Sequence, residues 1–293
     1  MKKRRGDTAT RRHGDKTPSA RVSASPRPRV PLITLLTDFG TTDYFVAAVR
    51  GVILAANPNA CLVDITHEIA PQDIEAGAFT LLAACSSFPA GTIHLAVVDP
   101  GVGSSRRPIL IKAGEQFFVG PDNGIFSYVC DQSAGPEIVH LTNTKYFRRP
   151  VSPTFNGRDI FAPVAAALSN GTRPSELGEK INDCVKLKPL KAETSLSGEI
   201  IGRIIHIDRF GNCVTNITQA ELSPDMIAAG AKLQLKRKVV KSFRSYFAED
   251  TGSKDEVFAI WGSAGFLEIA TAGESAVKVL KARRGDSVIV SDA

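Results

Sequence analysis

Residues 97–107 read V-V-D-P-G-V-G-S-S-R-R, and they close an apolar run, 93–98, broken only by His94. The run ends on a carboxylate, Asp99, and a turn built from Pro100, Gly101 and Gly103 follows. Open α/β sheets bind their ligands at the carboxyl ends of parallel strands, where a buried strand gives way to such a turn. Glycine lets backbone approach a ligand closely, and either Arg106 or Arg107 is placed to fold back on Asp99. Taken alone, the stretch also reads as a plain Asp-Pro-Gly turn with surface arginines.

The chain on either side favours the sheet. Residues 32–36 form an apolar strand that ends in Thr37-Asp38-Phe39-Gly40, again a carboxylate at a strand end. Thr42 is placed to cap a helix with Phe45, Val49, Ile53 and Leu54 on one face, stopping near Asn57-Pro58. A second strand over 61–65 leads into Thr66-His67-Glu68, and 73–88 reads as a helix facing the core with Ile74, Ala78, Leu81, Leu82 and Cys85. This β-α-β-α-β alternation predicts a parallel sheet wrapped by helices. Further on, 108–112 and 116–119 pair as strands, Pro121-Asp122-Asn123-Gly124 caps a short helix, and 154–159 opens another that ends at Asn170-Gly171. From residue 195 the pattern changes to short β-rich runs separated by turns, which predicts a small all-β barrel or sandwich. The expected organisation is a disordered basic tail over 1–30, an α/β domain with a mainly parallel sheet over 31–190, and a β-barrel-like domain over 195–293.

Charge location narrows the partners. The formal charge is +6, but residues 1–30 carry +8 and the remaining 263 carry −2, so the folded part is not a polyanion binder. A nucleic-acid partner is therefore not expected, and the tail reads as a solvated extension without the apolar region of a secretory signal. Five scattered cysteines without a C-x-x-C pair argue against a zinc site or disulfide framework and for buried, reduced thiols in a cytoplasmic protein. No run approaches the roughly 18 apolar residues of a membrane span.

The first half repeatedly sets polar groups at strand ends: Asp38 and Asp43, Asp64 and His67, Asp99, then Asp122-Asn123. Three readings are open for these groups. Asp and His suit hard or borderline cations, although no H-x-H or H-E-x-x-H spacing occurs. Carboxylates equally hold the hydroxyls or amine of a small polar ligand. Some of them, Asp64 for one, serve simply as caps.

Six motifs occur in one order: Leu36-Thr37-Asp38-Phe39-Gly40, Val63-Asp64-Ile65-Thr66-His67, Val98-Asp99-Pro100-Gly101-Val102-Gly103, Pro121-Asp122-Asn123-Gly124, Thr154-Phe155-Asn156-Gly157-Arg158-Asp159 and Asp208-Arg209-Phe210-Gly211-Asn212. Together they resemble the S-adenosyl-L-methionine hydroxide adenosyltransferase family, the S-adenosylmethionine hydrolases related to fluorinase and chlorinase. The resemblance runs from about Leu32 to the C-terminus. It implies an N-terminal α/β domain, a C-terminal β-barrel, and a homotrimer with the ligand between subunits. It also implies a reaction in which water or hydroxide attacks C5′ of S-adenosylmethionine, with no cofactor and no metal, giving adenosine and methionine.

Carried over by position, the resemblance makes Asp99 and Arg106 two members of a water-activating triad whose third member, a His, is here Asn156. It assigns Asp38, with Asp43 nearby, to the ribose hydroxyls and Phe155 to the sugar. Asp208 falls to the methionine amine, Asn212 to adenine and Ser263 to the methionine carboxylate. Gln72 and Ala264 stand where the halogenases carry an aromatic and an Arg. The halogenating branch also lacks the Asp and Arg of the central turn and carries a long insertion before the P-[DN]-N-G motif. Here only residues 113–120 separate strand and motif, and a carboxylate beside the attack site repels a halide. Hydrolysis is the expected activity. The alternatives are a halogenase, a metal-dependent hydrolase, and a binding protein with little catalysis, the last because an amide cannot accept water's proton.

Overall fold

The computed structural model describes residues 31–249 and 257–291, so the expected tail over 1–30 lies outside the described residues. The first sheet comprises β1 (Leu32–Thr37), β2 (Cys61–Thr66), β3 (Ile93–Val97), β4 (Pro108–Ala113), β5 (Gln116–Pro121), β6 (Glu137–His140) and β7 (Glu179–Ile181). Their spatial order is β2-β1-β3-β5-β4-β6-β7. The first four positions run parallel, and β4, β6 and β7 continue the sheet antiparallel. Helices α1 (Phe45–Ala56) and α4 (Ala162–Ser169) cover one face, and α2 (Ile74–Cys85) with α3 (Ser127–Asp131) covers the other.

Covering both faces explains why β3 is apolar apart from His94. Ile93, Leu95 and Val97 join the core under α1 and α4, while Ala96 and Val98 join the core under α2. Close strand packing also fixes a glycine, because a Cβ on Gly120 would lie 2.2 Å from the Ala96 carbonyl oxygen. His94 is fully buried in this run, stacked on Phe118 at 4.9 Å, with Nδ1 hydrogen-bonded to the Thr34 hydroxyl at 2.7 Å. Burial pushes its pKa from the ordinary 6.5 down to about 4. The folded state therefore resists protonation, and stability present above pH 6.5 is lost as pH falls toward 4. Denaturant unfolding should show a loss of about 3 kcal/mol across that window. His206, also pushed down by burial, loses stability in the same direction. His94→Gln should flatten the profile, and an unchanged profile would contradict the assignment.

The second sheet comprises β8 (Glu193–Thr194), β9 (Ile200–Ile207), β10 (Cys213–Thr218), β11 (Lys232–Leu235), β12 (Lys238–Val240), β13 (Ser242–Arg244), β14 (Val257–Trp261), β15 (Phe266–Thr271) and β16 (Ser287–Ser291). Its path is β12-β11-β16-β9-β10-β15-β14-β13, with β8 paired to β9. The two edge strands, β12 and β13, are separated in sequence by Lys241 alone, so the sheet curls into a nearly closed barrel. Phe79 of α2 stacks on His206 at 5.0 Å and meets Phe266 at 5.9 Å, and Arg284 and Arg203 pair with Asp73 and Glu75.

Several local expectations are corrected. Thr42 does not cap α1, whose N-cap is Tyr44 without a side-chain bond, and Leu54 points outward, 42% exposed. Asp122 does not cap α3 but accepts from Arg107 and from the Val185 amide. The cysteines are expected to be buried, but only Cys130 and Cys213 are, and Cys61 is exposed on β2.

Candidate active site

Because β1 and β3 are parallel neighbours in register (Leu36 opposite Ala96, Thr37 opposite Val97), the residues that follow them emerge at the same sheet edge. These are Asp38 and Asp99. They line one cleft of about 420 Å³, closed by Pro71-Gln72 on one side and by Thr154, Phe155 and Asn156 on another.

At the cleft's floor the choice left open by sequence is resolved. Arg106 folds back on Asp99, donating from Nε to Oδ1 at 2.8 Å and from Nη2 to Oδ2, whereas Arg107 turns away to Asp122 and Asp183. Arg106 Nη2 also donates to Asn156 Oδ1 at 2.7 Å, and the guanidinium lies 5.3 Å from the centre of the Phe161 ring. Asn156 in turn donates from Nδ2 to the Ser152 carbonyl at 3.3 Å. Its amide thus links Arg106 to the Ser152 carbonyl. The Asp99 and Arg106 side chains are only 5% and 10% exposed, so the pair is buried and bidentate. Gly103 makes the approach possible: its φ is +78°, and a Cβ there would meet the Pro153 carbonyl oxygen at 2.4 Å.

Asp38 is preset by backbone. Its Oδ2 accepts from the Gln72 amide at 2.8 Å, and Gln72 holds a left-handed φ of 66° to deliver that N–H. The turn beneath it is fastened by His67, whose Nδ1 bonds the Thr37 hydroxyl at 2.9 Å and whose carbonyl accepts from Gly40 at 2.8 Å. Asp64 pairs with Arg50 and with His67 Nε2 at 3.2 Å. Burial raises the Asp64 carboxyl, but hydrogen bonds from Arg50 and His67 outweigh it and leave the pKa below the usual range.

Phe155 lies edge-on to Phe45 at 5.3 Å and to Phe39 at 6.0 Å, forming an aromatic wall on the cleft. Phe39 and Phe45 line the cleft as well, a role that no motif assigns them and that only their flanking of the Asp38 turn signals in sequence. Asp43 is exposed outside this cleft.

The second-sheet residues lie elsewhere. Asp208 accepts from the Phe210 and Asn212 amides at 2.9 and 2.8 Å and from Asn212 Nδ2 at 2.9 Å, which closes the turn between β9 and β10. Asn212 lines a separate cleft of about 590 Å³ with the exposed rings of Phe210 and Phe247 on its wall. No residue lines both clefts. Ser263 is exposed in the turn between β14 and β15 and lines neither. Among the described residues no three His, Cys, Asp or Glu side chains are grouped to hold a metal ion, and no helix is long and apolar enough to cross a membrane.

An aromatic-walled cleft lined by a carboxylate that a buried guanidinium clamps from behind is the build of an enzyme acting on a small polar molecule. The chain belongs to the SAM hydroxide adenosyltransferase family, whose N-terminal domain matches residues 33–178 and whose C-terminal domain matches 202–289. It is 38% identical over 262 residues to an (R)-S-adenosyl-L-methionine hydrolase of Methanocaldococcus jannaschii, covering 85% of this chain and 91% of that protein. It is 28% identical over 270 residues to a fluorinase of Actinoplanes sp., covering 82% of this chain and 90% of that one. An uncharacterized conserved protein from Thermotoga maritima shares the fold with a TM-score of 0.82 and 36% identity, over 88% of this chain and 99% of that structure.

Proposed function

We propose that the protein hydrolyses S-adenosylmethionine to adenosine and L-methionine. The observation that carries this reading is the Asp99–Arg106–Asn156 network, whose Asp99 and Asn156 line a cleft that also presents Asp38 and Phe155. A new bond forms between water oxygen and C5′ while the C5′–S bond breaks, and its electron pair leaves with sulfur as the neutral thioether of methionine. No general acid is required. Water must lose a proton, and Asp99 is the member of the trio able to accept one, since Arg106 stays charged and an amide has no basic nitrogen. Arg106 orients the Asp99 carboxylate and stabilises developing hydroxide beside it; Asn156 holds Arg106. Asp38 takes the ribose hydroxyls and Phe155 packs on the sugar.

The reading extends to assembly. Asp208, Asn212 and Ser263, placed by the family resemblance on the methionine and adenine, stand apart from the first cleft within one chain. A homotrimer in which the second cleft of one copy faces the first cleft of its neighbour completes the site, and the exposed Phe210 and Phe247 supply the apolar contact such a face needs. The five unpaired cysteines support a cytoplasmic protein. An active monomer in analytical ultracentrifugation would overturn the assembly, and product analysis after incubation with S-adenosylmethionine tests the reaction itself.

A further inference from the structure

Beyond the cleft, a fully buried carboxylate collects the backbone and side chains of the segment that carries Phe155 and Asn156. Asp159 lines no part of the cleft and is 0% exposed. Its Oδ2 accepts from the Ser152 amide and from Arg158 Nη2, both at 2.8 Å, and its Oδ1 accepts from Arg158 Nε at 2.8 Å and Arg148 Nη1 at 3.1 Å. Its carbonyl oxygen also accepts from the Arg148 amide at 2.8 Å. Both ends of the segment are thereby drawn to one residue.

Two routes lead from this residue to the cleft. Through Ser152, whose carbonyl accepts from Asn156 Nδ2, it connects to Arg106 and so to Asp99 in one continuous hydrogen-bonded path. Through Arg158, whose guanidinium lies 5.0 Å from the centre of the Phe155 ring, it backs the aromatic wall. Asp159 also sits within a π-helical turn, Gly157–Phe161, a local form that recurs at functional sites. The last residue of that turn, Phe161, lies beneath the Arg106 guanidinium. Burial raises the Asp159 carboxyl, but bonds from Arg158, the Ser152 amide and Arg148 hold its pKa down at about 2, so it stays a fixed anion across the working range.

We infer that Asp159 is a positioning residue that holds Asn156, and through it Arg106, in register with Asp99. The inference rests on the hydrolytic reading for its kinetic consequence, but the hydrogen-bonded path is testable without turnover. Asp159→Asn keeps the shape and one acceptor oxygen while turning an N–H₂ group toward a guanidinium. In the full-length protein it should lower kcat for adenosine release about tenfold with KM changed less than about threefold. In an Asn156→Ala background the same substitution should cost less than about twofold, because the path it acts through has been cut. Equal losses in both backgrounds would make Asp159 merely structural and overturn the inference.

The nitrogen-15 resonance of Arg106 Nε provides the independent readout. It should shift on Asp159→Asn in the wild-type background and stay in place in the Asn156→Ala background, whether or not S-adenosylmethionine is turned over. Should Asp159→Asn fail to fold, Arg148→Gln removes the more exposed guanidinium from the same carboxylate and should give a smaller effect with the same background dependence. An Arg106 resonance unmoved by whichever of these variants folds would overturn the inference and leave the hydrolytic reading intact.

Discussion

Asp99→Asn should abolish most adenosine release while leaving the protein folded and able to bind ligand. The side chain it replaces is buried at the cleft floor, with both oxygens engaged by Arg106, and it is the group in that network with a lone pair basic enough to take water's proton. An Asn retains one acceptor for Arg106 but not the base. The expected loss in kcat is about 10²–10⁴-fold, the usual worth of a general base, with KM little changed. A matched measurement of adenosine binding by calorimetry separates the two quantities. A variant with wild-type turnover would remove Asp99 from the mechanism. The Asn156 amide, by contrast, is bonded to Arg106 on its oxygen and to the Ser152 carbonyl on its nitrogen. In the proposed mechanism it orients the pair, and turnover without a histidine at that position is the expected result.

Arg106→Met should produce the largest loss of stability available at the site. The Asp99 and Arg106 side chains are 5% and 10% exposed, so removing the guanidinium strands a buried carboxylate. Breaking a buried pair in this way costs about 3–5 kcal/mol, whereas replacing both partners by apolar residues of similar size is often close to neutral. The double variant Asp99→Leu/Arg106→Met should therefore unfold near the wild-type denaturant midpoint while releasing no adenosine. Such a result would show that the pair is kept for chemistry and not for the fold. A single variant within about 1 kcal/mol of wild type would instead mean that solvent reaches the carboxylate.

Much of this site was legible in sequence because its signals are local. A strand that runs into Asp99 and a glycine turn, and another that runs into Asp38, announce the ligand-binding edge of a parallel sheet, and the β1–β3 register brings the two carboxylates together. What sequence left open depends on long-range geometry. Arg106 and Arg107 are adjacent and chemically identical, and only the position of Asp122 and Asp183 draws Arg107 away. Asp122 reads as a helix cap until Arg107 and the Val185 amide, 63 residues away, claim it. Thr42 has the chemistry of a cap, but the helix starts later, at Phe45, because the aromatic wall fixes that residue against Phe39 and Phe155. The separation of Asp208 and Asn212 from the first cleft is set by the long-range arrangement of the two sheets, which no local pattern encodes.

In the proposed reaction the oxygen of water becomes the 5′-oxygen of adenosine. The most direct measurement is to incubate the purified full-length protein with S-adenosylmethionine in water enriched in oxygen-18, with chloride present, and to identify products by mass spectrometry. Adenosine carrying the heavy oxygen at its 5′-hydroxyl, with an equal amount of methionine, is the predicted result. Methylthioadenosine, a 5′-chloro nucleoside, or S-adenosylmethionine bound but unconverted would contradict it.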